Sequence, residues 1–376
     1  MKKLTLIFAV TCLLFSCSNE KSFQISGNIT DFGNPNEATM LYLKTRTITD
    51  EVINIDSTYL AADGTFILKG KSSETDLYFL ADKDNVFYLR IFVDPGNKIT
   101  VTGSATNVPN INIEGSKTHA LYNDYLSLLK PIEEKQEQLS HEYYSYAENP
   151  SMSEEELQKI VDELSATYDQ LNSDKDSITS NFIQNNANSI VAAYLVYRNT
   201  STLCNSTEIE QYLQWLAPEM NNKFVTFVKE RIERVKQTEA GATLPNFELP
   251  DPEGKLISLE ALRGKYVLVD FWASWCGPCV REIPNLKKAY SKYHDKGFEI
   301  ISISLDNDND AWVNGIEKHE LNWLNVSDLK AFNSPVAKQF AVSYVPHTFL
   351  LDPNGVIIAV DLREEALGNK LAEVMQ

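Results

Sequence analysis

The chain has 376 residues, is 43% hydrophobic and 23% charged, and carries a formal net charge of -18. That length suggests two or three soluble domains with cores large enough to fold without disulfide staples. The acidity, with no basic stripe along the chain, argues against a nucleic-acid partner, because a phosphate backbone selects clustered Lys and Arg. Solubility is the plain meaning of the charge.

Residues 1–16 read as a secretory signal: Lys2 and Lys3, then an apolar run from Leu4 to Phe15. The run is shorter than the roughly 20 residues a membrane span needs, and an uncleaved N-terminal anchor is the alternative. Leu14-Phe15-Ser16-Cys17 resembles the bacterial lipoprotein box, which implies cleavage before Cys17 and a lipid on that cysteine. The polar Ser18-Asn19-Glu20-Lys21 that follows fits such a cut. Acyl chains would then hold the protein at a membrane, each buried CH₂ contributing about 0.8 kcal/mol. The expected location is the cell envelope, periplasmic or outer-membrane-associated, where disulfides are tolerated.

Residues 22–115 read as a β-rich domain. Short runs such as Phe23–Ser26, Thr39–Leu43, Thr65–Leu68, Tyr88–Val93 and Lys98–Val101 are separated by turns at Gly33-Asn34-Pro35, Ala62-Asp63-Gly64 and Asp94-Pro95-Gly96-Asn97. This punctuation predicts an antiparallel sandwich or small barrel. Residues 116–238 change to helical periodicity, with Leu121, Tyr125, Leu128 and Leu129 on one face and Ile160, Leu164 and Tyr168 on another. Cys204 lies in a loop-like stretch, and a lone cysteine is ordinarily a small buried hydrophobe. From 241 to 376 strand and helix patterns alternate, which predicts an α/β domain.

Five cysteines, with Cys12 in the leader and Cys17 at its cleavage point, make no disulfide framework. Cys276-Gly277-Pro278-Cys279 follows the strand pattern Tyr266–Trp272 and opens the helix pattern Val280–Lys296. A thiol at a helix N-terminus faces unsatisfied N–H groups and the positive end of the dipole, which favour the nucleophilic thiolate. By this placement Cys276 attacks and Cys279, one turn inside, resolves. Pro278 loses little there, since a first-turn N–H has no helical partner. A structural zinc site wants four ligands, and His294, His319 and His347 lack the paired spacing, so no metal and no cofactor is expected.

Val267 to Cys279 closely resembles the active-site strand and turn of thioredoxin, and Tyr344-Val345-Pro346-His347-Thr348-Phe349-Leu350 is similar to that family's cis-proline loop. Together with the leader and the extra N-terminal region, the pattern resembles the extracytoplasmic TlpA-like branch, which serves disulfide reduction and, in some members, cytochrome c maturation. The β-rich region is similar to domains of unknown function that precede such modules. The resemblance implies a buried acid at Asp270 that exchanges a proton with Cys279, a cis Val345–Pro346 bond, and a substrate-binding surface of Trp275, Gly277, Pro278, Val345 and Pro346. Two departures stand out. The lysine that pairs with the buried acid has no match, and Ser302 falls near its place. His347 stands where thioredoxin has threonine, either near the thiols, titrating near neutral pH, or as a surface or capping residue. Asp306 closes the Phe298–Leu305 strand pattern, where it either takes part in acid chemistry or simply ends the strand.

The function implied is a membrane-tethered thiol–disulfide oxidoreductase that reduces disulfides in exported proteins with electrons from a membrane thiol donor. A peroxiredoxin-like peroxidase is the alternative enzyme, though Val269 and Ala273 stand where that class carries Pro and Thr or Ser. A surface binding lipoprotein with an accessory redox domain is the non-enzymatic alternative.

Overall fold

The computed structural model describes residues 20–32, 39–49, 51–147 and 152–375. The leader, Cys17 and the Gly33-Asn34-Pro35 turn lie outside the described residues. The chain divides into two compact units, one ending at Val191 and one beginning at Ala192.

The first unit opens with strands β1 (Lys21–Thr30), β2 (Met40–Arg46), β3 (Val52–Tyr59), β4 (Thr65–Ser72), β5 (Asp76–Ala81), β6 (Tyr88–Val93), β7 (Lys98–Ser104) and β8 (Asn112–Glu114). They form two four-stranded sheets, ordered β4-β1-β7-β8 and β3-β2-β5-β6. Both sheets feed one core: Ile25, Leu68 and Val101 from the first, Leu43, Leu80 and Ile91 from the second. Of the sandwich and the small barrel that alternating runs allow, this is the sandwich, with Phe66 and Leu68 turned inward and Ile67 outward on β4. One pairing departs from the antiparallel expectation, because β1 and β7 run parallel. Strands β3, β5 and β8 carry no clear alternating signal and emerge only through pairing with their neighbours.

Helices α1 (Lys117–Ala147) and α2 (Glu154–Asn185) follow. Tyr125 Oη lies 3.0 Å from Thr179 Oγ1, and Gln136 Nε2 donates to Asn172 Oδ1 at 2.8 Å. Ser153 and Glu156 form a reciprocal capping box at the start of α2. The expected stripes are narrower in fact. Tyr125 and Leu129 are buried, whereas Leu128 and Tyr168 are exposed, because each helix is covered along one stripe only.

The second unit contains α3 (Ile190–Thr200, which begins just before the division), α4 (Ser206–Leu213) and α5 (Lys223–Lys236). A β9 (Glu248–Pro250) and β10 (Leu256–Ser258) hairpin comes next, then β11 (Tyr266–Trp272), α6 (Gly277–Tyr293), β12 (Phe298–Ser304), α7 (Asn309–Lys318) and β13 (Leu324–Val326). Helix α8 (Pro335–Gln339), β14 (His347–Leu351), β15 (Ile357–Val360) and α9 (Glu365–Val374) complete it. The five-stranded sheet has the order β13-β12-β11-β14-β15. Strands β11, β12 and β13 are parallel, and β14 and β15 are antiparallel to their neighbours.

Strand β11 is central and buried on both faces, so its sequence is continuously apolar except at Asp270. Alternation sorts its side chains. Val267, Val269 and Phe271 enter one core, and Leu268 and Trp272 enter the other, which also holds Cys276 and Cys279. Asp270 shares the parity of Leu268 and Trp272, and therefore the face of the thiols.

Candidate active site

Strand β11 delivers the chain to the turn Ala273–Trp275, and α6 begins at once. Cys276 is the N-cap, with φ -85° and ψ 96°, and Cys279 N–H donates to its sulfur at 3.1 Å. A disulfide joins the two cysteines, and each is 4% exposed. The N–H on Cys276 Sγ will face a thiolate once that bond opens, so the first turn of α6 stabilises the charge. Around the buried pair, Trp275, Gly277 and Pro278 are exposed. Trp275 is 58% exposed, and its ring lies 6.5 Å from that of Phe332, leaving an apolar surface beside the thiols.

The turn itself is anchored by Asp306. Its carboxylate accepts Ser274 N–H at 3.0 Å and Ser274 Oγ–H at 2.7 Å, and it also accepts Ser304 Oγ–H at 2.6 Å. These bonds make Asp306 a brace for the segment entering Cys276, a use beyond ending a strand.

Asp270 is buried and accepts Ser302 Oγ–H at 2.9 Å, while Ser302 in turn accepts Trp323 Nε1–H at 2.8 Å. Burial pushes the Asp270 carboxyl up to about 6 against the pull of Ser302 and of the Arg363 charge, and the Glu282 charge adds to the rise. A serine thus occupies the place expected for the missing lysine, and the cation felt by Asp270 comes from Arg363. Glu282 sits on α6 and is buried, accepting Glu364 N–H at 2.8 Å. Sequence reasoning missed Glu282. Its signal was an acid on the apolar stripe Cys279, Ile283, Leu286, at a spacing of three from Cys279.

The Val345–Pro346 bond is cis. Val345 packs against the core cluster that contains Cys276 and Cys279, which brings the loop to the thiols. His347 pairs with Phe271 across β11 and β14, so it points to the face opposite Asp270. It is 2% exposed, packed on the rings of Tyr344 and Phe349. Neither expectation for His347 describes this: it is neither beside the thiols nor at the surface, because the strand's alternation turns it away.

Cys204, the free cysteine among the described residues, lies 3.4 Å from Tyr344 Oη, and burial pushes its thiol up. Cys204, His347 and Asp361 bring possible metal-ligand atoms within 4.8 Å of one another. Asp361 is already engaged by the Thr348 N–H, the Tyr344 hydroxyl and the Arg363 guanidinium. With the Arg231 charge also near Cys204, the electrostatics suit the protein's own cations better than a divalent ion.

Comparison with known proteins fits this arrangement. The AhpC/TSA family model matches residues 240–360, and a domain of unknown function, DUF4369, matches residues 23–122. The thiol-disulfide oxidoreductase ResA of Bacillus thuringiensis subsp. konkukian is 33% identical over 141 residues, covering 38% of this chain and 79% of that protein. ResA of Bacillus subtilis is 34% identical over 120 residues, 32% of this chain and 65% of that protein. Among solved structures, the thioredoxin domain of a thiol-disulfide oxidoreductase from Bacteroides vulgatus is 35% identical, covering 37% of this chain and 99% of that one, with TM-score 0.35. A thiol-disulfide oxidoreductase from Bacteroides fragilis is 39% identical, covering 36% of this chain and 99% of that one, with TM-score 0.34. Through its thioredoxin-like C-terminal domain, this chain belongs to the ResA-like family of thiol–disulfide oxidoreductases.

Proposed function

We propose that this thiol–disulfide oxidoreductase works in the cell envelope, tethered through a lipid on Cys17, and reduces disulfides in exported proteins. The observation that carries the division of roles, with Cys276 attacking and Cys279 resolving, is the placement of Cys276 at the N-cap of α6 with the Cys279 N–H on its sulfur. In the reduced enzyme the Cys276 thiolate attacks one sulfur of the substrate disulfide and expels the other as a thiolate. Cys279 then gives its proton to Asp270 and attacks the Cys276 sulfur of the mixed disulfide. The substrate leaves reduced, and the Cys276–Cys279 disulfide remains. A membrane thiol donor supplies two electrons to reopen it. Trp275, Gly277, Pro278, Val345 and Pro346 form the wall that holds the substrate chain, and apocytochromes c are one class of exported substrate that fits.

The test is trapping in intact cells. Cys279→Ser is expected to accumulate mixed disulfides through Cys276, and Cys276→Ser to form none; adducts that form equally well through Cys279 alone would reverse the roles. A reduction potential near the roughly -120 mV of strongly oxidising periplasmic enzymes would reverse the direction. Rapid peroxide consumption that survives Cys279→Ser would instead favour a peroxidase.

A further inference from the structure

Behind the cis-proline loop lies a polar cluster that the exchange steps above leave unused. Asp361 follows β15, and Arg363 lies two residues on. The Arg363 guanidinium donates from Nη2 to the Pro346 carbonyl and to Asp361 Oδ1, the latter at 2.9 Å, and from Nη1 to Thr348 Oγ1 at 3.0 Å. Asp361 accepts Thr348 N–H at 3.1 Å and the Tyr344 hydroxyl, and its own N–H donates to the Thr348 carbonyl at 2.8 Å. Tyr344, Pro346 and Thr348, on both sides of the cis bond, therefore hang on two side chains.

The backbone of this segment is bent to make that possible. Asp361 and Glu364 both adopt positive φ, at 54° and 52°, which costs a non-glycine residue roughly 1 kcal/mol or more. The bend turns Arg363 under the loop, while Glu364 N–H meets Glu282 on α6, the helix that carries Cys279. Burial works to raise the Asp361 carboxyl. The His347, Tyr344 and Arg363 contacts outweigh it and hold the group at about 2, so the anion is present at any working pH. His347 Nδ1 lies 3.0 Å from Asp361 Oδ1 and adds its pull on the carboxylate.

We propose that Arg363, held by Asp361, is a positioning residue for disulfide exchange: it fixes the Pro346 carbonyl and so presents the Val345 backbone to a peptide substrate. This rests on the reading of Val345–Pro346 as the substrate-facing wall. The planar guanidinium serves four acceptors from one fixed fork, the Leu362 carbonyl at 3.0 Å besides the three above, which a lysine ammonium on a flexible stem does not reproduce. The same charge acts on Asp270 in opposition to Glu282; these are the two charged groups that bear on that carboxyl, and Ser302 is its hydrogen-bond donor.

The test uses the full chain with two substrates, a disulfide-bonded peptide and a small aromatic disulfide that takes no backbone contact from the loop. In Arg363→Gln the KM for the peptide is expected to rise about tenfold with kcat changed much less, so that the preference for peptide over small disulfide falls about tenfold. The pH at which the rate turns over should move upward in this variant, and the shift should vanish when Asp270→Asn is added. Arg363→Lys restores the pH profile but not the peptide KM, and it carries the same test should Arg363→Gln fail to fold. An unchanged peptide KM in a folded variant, or an equal loss on both substrates, would overturn the proposal. Failure of the underlying reading would look different: wild-type protein would show no preference for the peptide, or Cys276→Ser would remain active on it.

Discussion

At the scale of single residues, Asp270 carries the most distinctive energetics. Its folded-state carboxyl titrates at about 6 because burial penalises the charged form. An unfolded chain titrates that group near 3.9, so the folded state binds more protons between the two values, and wild-type stability falls as pH rises through that window. The displacement is worth roughly 3 kcal/mol above pH 6 and nothing below about pH 4. Asp270→Asn is therefore expected to stabilise the fold by about 2–3 kcal/mol at pH 7.5, with the gain vanishing at pH 4. Denaturant unfolding at the two pH values checks this, and an equal gain at both would refute it. On the proposed mechanism the same substitution should slow release of the mixed disulfide, since it removes the proton acceptor assigned there to Cys279. The thiols were legible in the sequence because a C-x-x-C between a strand and a helix pattern is a local signature. Asp270 came from the resemblance, and only its depth in the sheet accounts for its titration.

At the scale of elements, the cis-proline loop depends on a segment far from it in sequence. Arg231 on α5 is buried and donates to three backbone carbonyls, those of Thr200, Leu203 and Ala341, at 2.8, 2.8 and 3.1 Å. Ser343 Oγ–H adds a bond to the Ser201 carbonyl at 2.6 Å. The stretch after α3 thus braces the chain that leads into Pro346, and Cys204 belongs to that brace. Arg231→Leu leaves buried carbonyls without donors, each costing about 1–3 kcal/mol. A drop in melting temperature on the order of 10 °C is expected for the second unit by calorimetry. A change of less than about 2 °C would mean that water replaces the guanidinium. Nothing in the local sequence around Arg231 announces this role, because a helical arginine is ordinarily exposed.

At the scale of the molecule, every group tied here to exchange lies beyond Ala192: Arg231, Asp270, the cysteines, Glu282, Ser302, Asp306, Asp361 and Arg363. A fragment spanning 192–376 is expected to reduce a small disulfide within about twofold of the full chain. It should also melt above a fragment beginning at 241, which loses the Arg231 brace. Activity below about a tenth of the full chain would show that the first unit contributes to catalysis. The β sandwich has a complete core of its own and a match to a domain of unknown function. Its removal is therefore the direct test of whether it selects substrates.

The sequence alone determined what depends on near neighbours. Alternating and 3.6-residue patterns placed β11, α6 and β12 within a few residues, and the cysteine spacing at a helix start pointed to the chemistry. Strand parity, once the sheet was assembled, decided the rest: it put Asp270 with the thiols and turned His347 to the opposite face. The parallel β1–β7 pair, the exposed Leu128 and the Arg363–Asp361 clamp depend on which distant segments meet. Such contacts leave no periodic trace in a single chain, because their partners are set by packing across the sheet rather than by spacing along it.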